Sequence, residues 1–337
     1  MPEITFDQAK EFLENITSED KVAIIHHDDG DGFCSGILFY DWCKNKNAEV
    51  DEFTYNIGKS SLDKFDLKKF NKLIVCDLAP DFMAEEFEQL TDKKIFYTDH
   101  HKKSTPLPKE IIAYQTDEQG YFPSARTAGE LTGLKHWLSV AGTVTDAADL
   151  YPENNEFIDN FLKKNNMTLE QFKENITSKL TNFLVYFKTD PKKAFEILEG
   201  INSLKDMEKL KEYSEEVEAE INQTIERYET EKEKLGDINF FYFEPNFSVT
   251  KPVSGIISRK NDDEAFIFAA LDKGKEKIKF SARSQDRSRD MSALLKAGVK
   301  DLKEGNAGGH LAAAGAQINK EDLEKFKENI RDYIQGK

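Results

Sequence analysis

Three short apolar runs in the first hundred residues each stop at acids or histidines. Val22-Ala23-Ile24-Ile25 runs into His26-His27-Asp28-Asp29-Gly30-Asp31-Gly32, and Lys72-Leu73-Ile74-Val75-Cys76 runs into Asp77. Lys94-Ile95-Phe96-Tyr97-Thr98 runs into Asp99-His100-His101. Continuous apolar runs of this length read as strands buried on both faces. Stretches of helical length lie around them, at 5–16, 33–42, 82–90, 124–134 and 135–150. Residues 50–57 and 113–115 read as further strands. Strands alternating with helices predict βαβ units and a parallel sheet. One parallel sheet brings all three strand ends to one edge, where open α/β sheets hold their sites.

A solvated turn accounts for any one of these acid clusters, since Asp is mostly a surface residue. It does not account for three of them at one sheet edge. His27, Asp29 and Asp31 alternate, so an extended strand end would aim them one way. Gly30 and Gly32 would give the tight turn into the next helix. Ala141 to Asp149 is rich in small residues and carries Asp146 and Asp149, as a helix start packed closely against a site would.

The chain has 337 residues, enough for two or three domains, and a net charge of −16 with a pI near 5.0. Such an acidic body argues against a protein that coats duplex nucleic acid, which needs a broad basic face. No apolar run reaches the roughly 20 residues that span a bilayer. Met1-Pro2-Glu3-Ile4 has neither the basic nor the apolar region of a secretory signal. Cys34, Cys43 and Cys76 sit in apolar surroundings without CxxC spacing, which suits reduced, buried thiols in a cytoplasm.

Residues 151–200 read as helical. Apolar residues then recur every three or four positions from Leu204 to Leu235, among charges, with Gly236 at the C′ position. This predicts one long interdomain helix rather than a coiled-coil partner. Strands follow at 238–243, 265–271 and 277–283, and helices at 291–297 and 320–335. The expected domains are 1–200, 201–236 and 237–337. Gly308-Gly309-His310 would precede a helix, where backbone amides can approach an anion. Lys273, Lys275, Lys277, Lys279, Arg283, Arg287 and Arg289 form a basic run beside it. Lysines that block edge aggregation are the competing reading of that run.

His27, Asp29, Asp31, Asp77, His100 and Asp146 offer oxygen and imidazole donors and no thiolate. Such a set suits Mn²⁺, with Mg²⁺, Fe²⁺ or Zn²⁺ as alternatives. Six donors suffice for two ions if one carboxylate bridges. Two ions about 3.5–4 Å apart can activate water and clamp an in-line displacement at phosphorus. Phosphoester hydrolysis is the reaction these residues suggest.

The same residues carry a resemblance. His27-x-Asp29-x-Asp31-Gly32 with Ser35-Gly36, Asp77, Asp99-His100-His101 and Gly142-Thr143-Val144-Thr145-Asp146 resemble, in order, the motifs of the DHH phosphoesterase superfamily. Arg283-Ser284 and Gly308-Gly309-His310-x-x-Ala313-Ala314-Gly315 resemble its DHHA1 substrate-binding domain, although Ala307 stands where a third glycine is common. The resemblance is to the RecJ-like exonuclease and nano-RNase subgroup. It implies an α/β fold: a parallel-sheet DHH domain, a linker helix, a smaller DHHA1 domain and two Mn²⁺ ions in the cleft between the domains. One ion would be held by His27, Asp29 and Asp77, and the other by Asp31, Asp77, His100 and Asp146. His101 would contact the scissile phosphate or protonate the leaving group, and Asp99 would orient or polarise the His100-His101 pair. Arg283, Ser284, Gly308, Gly309 and His310 would hold substrate.

The implied activity is hydrolysis of single-stranded RNA or DNA, or of short oligonucleotides, to nucleoside monophosphates. The alternatives are a pAp or cyclic-dinucleotide phosphoesterase and, from another class, a replication scaffold. A replication or repair protein and a second copy of the chain are the protein partners such a family allows, with no membrane. RecJ proper adds an OB-fold domain without a counterpart here, which favours short strands or a partner that supplies the grip.

Overall fold

The computed structural model describes residues 4–90 and 92–336. Met1 to Glu3, read above for a leader, lie outside them. The chain divides into two compact units, Met1–Ser214 and Glu215–Lys337.

In the first unit, α1 (Phe6–Glu14) leads into five strands: β1 (Lys21–His27), β2 (Glu49–Tyr55), β3 (Lys72–Cys76), β4 (Lys94–Asp99) and β5 (Ile112–Gln115). They form a sheet in the order β2-β1-β3-β4-β5, with every pair parallel. The order reverses between β1 and β3, the place at which such sheets bind ligands. β1 explains why its run looks uniformly apolar. Val22 and Ile24 enter one core, against Phe33, Ile37 and Leu138, whereas Ala23 and Ile25 enter another, with Leu73, Val75 and Tyr97. Neither face meets water.

Four helices join or follow these strands: α2 (Gly30–Asn45), α3 (Pro80–Phe87), α4 (Ser124–Thr132) and α5 (His136–Thr145). Helices α6 (Asn155–Lys164), α7 (Leu169–Phe172), α8 (Ser178–Tyr186) and α9 (Pro191–Glu199) complete the first core through Phe161, Phe172, Phe183 and Phe195. A π-helical turn, Lys173–Thr177, joins α7 to α8. All three cysteines are free and buried. Among the described residues, no helix is long and apolar enough to cross a membrane.

The single helix expected over 204–235 is three elements. Leu204–Leu210 is a 3₁₀ helix, α10 spans Lys211–Glu231, and β6 spans Glu233–Leu235. The spacing misleads because it serves two cores. Leu204, Met207, Leu210 and Tyr213 pack in the first unit, whereas Tyr228 packs on Phe241, Phe266 and Phe268 of the second. Gly236, at φ 64°, is the turn between β6 and β7 rather than a helix cap.

The second unit is a mixed sheet ordered β10-β11-β9-β8-β7-β6, built with β7 (Ile238–Phe243), β8 (Ala265–Asp272), β9 (Lys277–Ser284), β10 (Asn306–Gly309) and β11 (Ala313–Asn319). Only β7 and β8 are parallel, and their crossover is α11 (Thr250–Lys260). Helices α12 (Met291–Gly298) and α13 (Leu323–Ile334) close the core around Ile267, Phe280 and Phe326. Gly308-Gly309-His310 does not open a helix. It ends β10 and enters a turn, in which the His310 amide donates to the Ala313 carbonyl at 2.8 Å. Gly308 pairs with Gly315 and Gly309 with Ala314.

Candidate metal centre

The sheet delivers its acids where the parallel strands predict, but by a different local route. β1 stops at His27, and Asp29 is the N-cap of α2, its Oδ1 accepting from the Gly32 amide at 3.0 Å. Asp31 stands in the helix's first turn. The expected extended alternation is therefore a strand-to-helix turn. Gly32 is needed there for close approach, since a Cβ would overlap the His27 carbonyl. Ala141 to Asp149 is likewise a helix end rather than a start, with Asp146 as the C-cap of α5. Its small residues do serve close packing: a Cβ on Gly142 would overlap Ala125 and Cys34.

His27, Asp29 and Asp77 form one group whose donor atoms lie within 4.8 Å of one another, and Asp31, His100 and Asp146 form a second. Nδ1 of His27 is 2.8 Å from Asp29 and 3.7 Å from Asp77. Nε2 of His100 is 3.4 Å from Asp77, 3.5 Å from Asp146 and 3.7 Å from Asp31. Asp77 thus offers Oδ2 to the first group and Oδ1 to the second. It holds φ at 59°, a left-handed conformation that Asp tolerates better than most residues. A third grouping adds Asp99 and His101 to Asp77 and His100.

The electrostatics call for a cation. Burial, then the neighbouring Asp77, pushes the Asp31 carboxyl well above its ordinary range. Burial and Asp29 push Asp77 up, and burial pushes Asp146 up although His100 and Tyr121 oppose it. Burial favours neutral His27, but Asp29 and Asp77 outweigh it and raise the imidazole to about 10. Asp29 is held low, because His27 overcomes its burial. Among the described residues, Oδ2 of Asp77 and both ring nitrogens of His100 are buried without a hydrogen-bond partner, and Nδ1 of His27, although 2.8 Å from Asp29, is not aligned for a hydrogen bond with it. Orphaned donors of oxygen and imidazole type beside mutually repelling acids fit divalent ions.

Asp99, buried at the end of β4, accepts from the His101 amide at 3.0 Å and lies 2.8 Å from its Nδ1. That carboxylate raises the imidazole to about 9. The His101 side chain remains 45% exposed, whereas His100 beside it is buried.

Several neighbours of the centre have no usable sequence signal. The backbone amides of Ser124 and Ala125, which open α4, donate to the two oxygens of Asp31 at 2.8 and 2.7 Å. The Tyr121 hydroxyl donates to Oδ2 of Asp146 at 2.7 Å, and its ring is perpendicular to that of His100. Asp28 accepts from Lys188 at 2.7 Å and from Asn56, and lies 3.6 Å from Nε2 of His27. These partners are separated from the motifs by up to 160 residues.

In the second unit, the register puts Arg283, Ser281, Gly315 and Gly308 on one face of the sheet. Arg283 is half-buried. Burial, and then Arg259, lower its pKa. Gly308, Gly309 and His310 are exposed. Ser284, the next residue of β9, faces away from Arg283: it is buried on the other face of the sheet and donates to Asp286 at 2.8 Å. The basic run is also less free than its composition suggests. Lys277 pairs with Glu304 at 3.1 Å, Lys279 with Asp272 at 2.9 Å, and Arg289 with Asp237.

A parallel sheet whose edge holds two carboxylate–histidine groups, with Asp77 in the first and within 3.4 Å of His100 in the second, suits a metal-dependent phosphoesterase, and the family match gives that class. The chain belongs to the DHH/DHHA1 phosphoesterase superfamily: residues 21–165 match the DHH family N-terminal domain and residues 239–336 the DHHA1 domain. Among solved structures it is similar to RecJ in complex with Mn²⁺ from Thermus thermophilus, at 16% identity and a TM-score of 0.67. That match covers 99% of this chain and 55% of the other, so the chain spans about half the length of the Thermus protein. It is similar to exonuclease RecJ bound to manganese, at 16% identity and a TM-score of 0.68, covering 99% and 95% of the two chains. It is also similar to CDC45 from Entamoeba histolytica, at 9% identity and a TM-score of 0.53, covering 97% and 98%. No curated protein matched in sequence. At these identities the structural likeness establishes the fold.

Proposed function

We propose that the protein is a Mn²⁺-dependent phosphodiesterase that hydrolyses short single-stranded oligonucleotides to nucleoside monophosphates. The observation that carries this reading is the pair of donor groups with Asp77 between them, one oxygen toward His27 and the other toward His100. His27, Asp29 and Asp77 would hold one ion, and Asp31, Asp77, His100 and Asp146 the other. Bound there, the ions supply Lewis-acid activation of water and stabilisation of charge developing at phosphorus. Asp31 is held for this role by the amides of α4, and Asp146 by Tyr121. His101 keeps one nitrogen on Asp99 and leaves the other for substrate. It contacts the scissile phosphate or hands a proton to the leaving oxygen. Arg283, with the Gly308 and Gly309 amides and His310, binds a substrate phosphate in the second unit.

The engaged Lys277 and Lys279 favour short substrates over long strands, because a continuous phosphate track needs free cations. The same observation keeps a dinucleotide substrate in view. The test is digestion, with Mn²⁺, of 5′- and 3′-labelled RNA and DNA oligomers of graded length, with pAp and cyclic dinucleotides alongside. Rates that fall with increasing length support the reading. Turnover of pAp with none of any oligomer, or no turnover at all, overturns it.

A further inference from the structure

Two adjacent large side chains stand exposed, and one of them, Tyr151, is a single ring away from the candidate metal centre. Leu150 is 75% exposed and the adjacent Tyr151 is 42% exposed. The Tyr151 ring stacks on Tyr121, with centroids 4.3 Å apart and planes at 14°. Tyr121 in turn stands perpendicular to the His100 ring, with centroids 4.9 Å apart, and hydrogen-bonds Asp146; both are residues of the second donor group.

The stack is fastened on both sides. Oε1 of Glu153 accepts from the Tyr121 amide at 2.8 Å. The buried Asn154 donates to the Tyr121 carbonyl at 2.8 Å and to the Ala148 carbonyl at 3.0 Å. Tyr121 and the 148–154 segment are therefore held as one piece. Tyr121 stacks on one face of Tyr151, and the residue as a whole stays exposed. A fixed aromatic face with an apolar neighbour is a stacking surface for a second flat ring. Exposure of this kind is uncommon here: the other exposed large apolar residues among the described ones are Phe82, Leu311 and Tyr333.

We infer that Tyr151, backed by Tyr121, is a platform on which the nucleobase next to the scissile phosphate stacks. The inference rests on the phosphodiesterase reading and deepens it, since a base-stacking platform selects nucleotides over other phosphodiesters. Stacking needs only a π-face, so the platform is indifferent to which base is present.

The test uses the full chain with Mn²⁺ and two matched oligonucleotides, one intact and one abasic at the terminal position. Tyr151→Ala should lower kcat/KM on the intact substrate roughly tenfold more than on the abasic one, as expected for one lost stacking contact. Tyr151→Phe should behave as wild type, because the ring and not the hydroxyl is used. A terminal 2-aminopurine, bound without turnover in Ca²⁺, should lose fluorescence on wild type and on Tyr151→Phe but not on Tyr151→Ala. Equal effects of Tyr151→Ala on both substrates, with unchanged quenching, overturn the platform and leave the phosphodiesterase reading intact. Failure of wild type to cleave either substrate overturns both.

Discussion

At the scale of single residues, Asp77 carries opposed burdens. Its two oxygens serve both donor groups, and without cations its charge is disfavoured by burial and by Asp29. A carboxyl whose folded pKa is raised binds its proton more tightly in the folded state. Its contribution to stability therefore falls as pH rises past the ordinary 3.8. Asn fits the same left-handed backbone without the charge. Asp77→Asn should then raise the metal-free melting temperature at pH 7, by about 2–4 °C for each kcal/mol relieved. It should also abolish the rise that Mn²⁺ gives wild type. Hydrolysis should fall by more than the roughly 10–100-fold typical of outer partners. Calorimetry with and without Mn²⁺ checks both signs, and a lower metal-free melting temperature would count against the repulsion argument. His101 should behave differently. His101→Ala should bind the same number of Mn²⁺ equivalents by titration but lose about 10²–10⁴-fold in turnover, as for a lost general acid. Loss of one equivalent would instead make His101 a ligand, as its place in the third donor grouping permits.

At the scale of elements, the strands and their acidic ends are legible because a buried parallel strand is written as a continuous apolar run. The way the acids converge is not. Asp31 is held by the start of α4, more than 90 residues away, and no periodicity records such a contact. α11 leaves no clear trace because its buried face includes serines. Ser254 bonds Ser281 at 3.0 Å, and Ser258 accepts from Gln285 at 2.8 Å. The β10–β11 hairpin reads as a loop and helix because glycine and alanine carry little strand signal.

The opposite end of the β1 and β3 pair gives a prediction independent of the site. Asp20, just before β1, accepts from Lys72 at 2.7 Å, from the Thr17 amide at 2.8 Å and from Asn71 at 2.9 Å. Burial alone would raise its pKa, but these donors overcome it and lower the carboxyl to about 2. Its stabilising contribution is therefore present above pH 3.8 and is lost as pH falls towards about 2. Asp20→Asn should cost about 3 kcal/mol at pH 6, since it leaves buried Lys72 without its counter-charge. The gap between the two melting curves should close between pH 4 and about 2. A gap that persists at pH 2 would assign the loss to packing instead.

At the scale of the whole molecule, the proposed chemistry is divided between units of different character. The first unit concentrates buried carboxylates and histidines. The second offers Arg283, an open glycine floor at Gly308 and Gly315, and exposed His310. In the proposed reading, Arg283 takes a phosphate. Among the described residues its guanidinium has one hydrogen bond, to the Ala282 carbonyl at 2.9 Å, and it lies near a second cation, Arg259. An anion would relieve that like-charge contact and fill the fork. Neither Arg283 nor His310 belongs to a donor group of the metal centre. Arg283→Ala and His310→Ala should therefore retain full Mn²⁺ occupancy and weaken binding of an uncleaved oligonucleotide, each by about 1.5–3 kcal/mol. With Lys277 and Lys279 already paired to Glu304 and Asp272, few phosphates are neutralised. The slope of log Kd against log salt should accordingly be shallow, and shallower still in Arg283→Ala. The measurement is Kd at several salt concentrations for wild type and both variants. Unchanged affinity in both variants would remove the second unit from phosphate binding. A steep slope that survives Arg283→Ala would mean that other cations carry the strand, and that long single strands are the substrate.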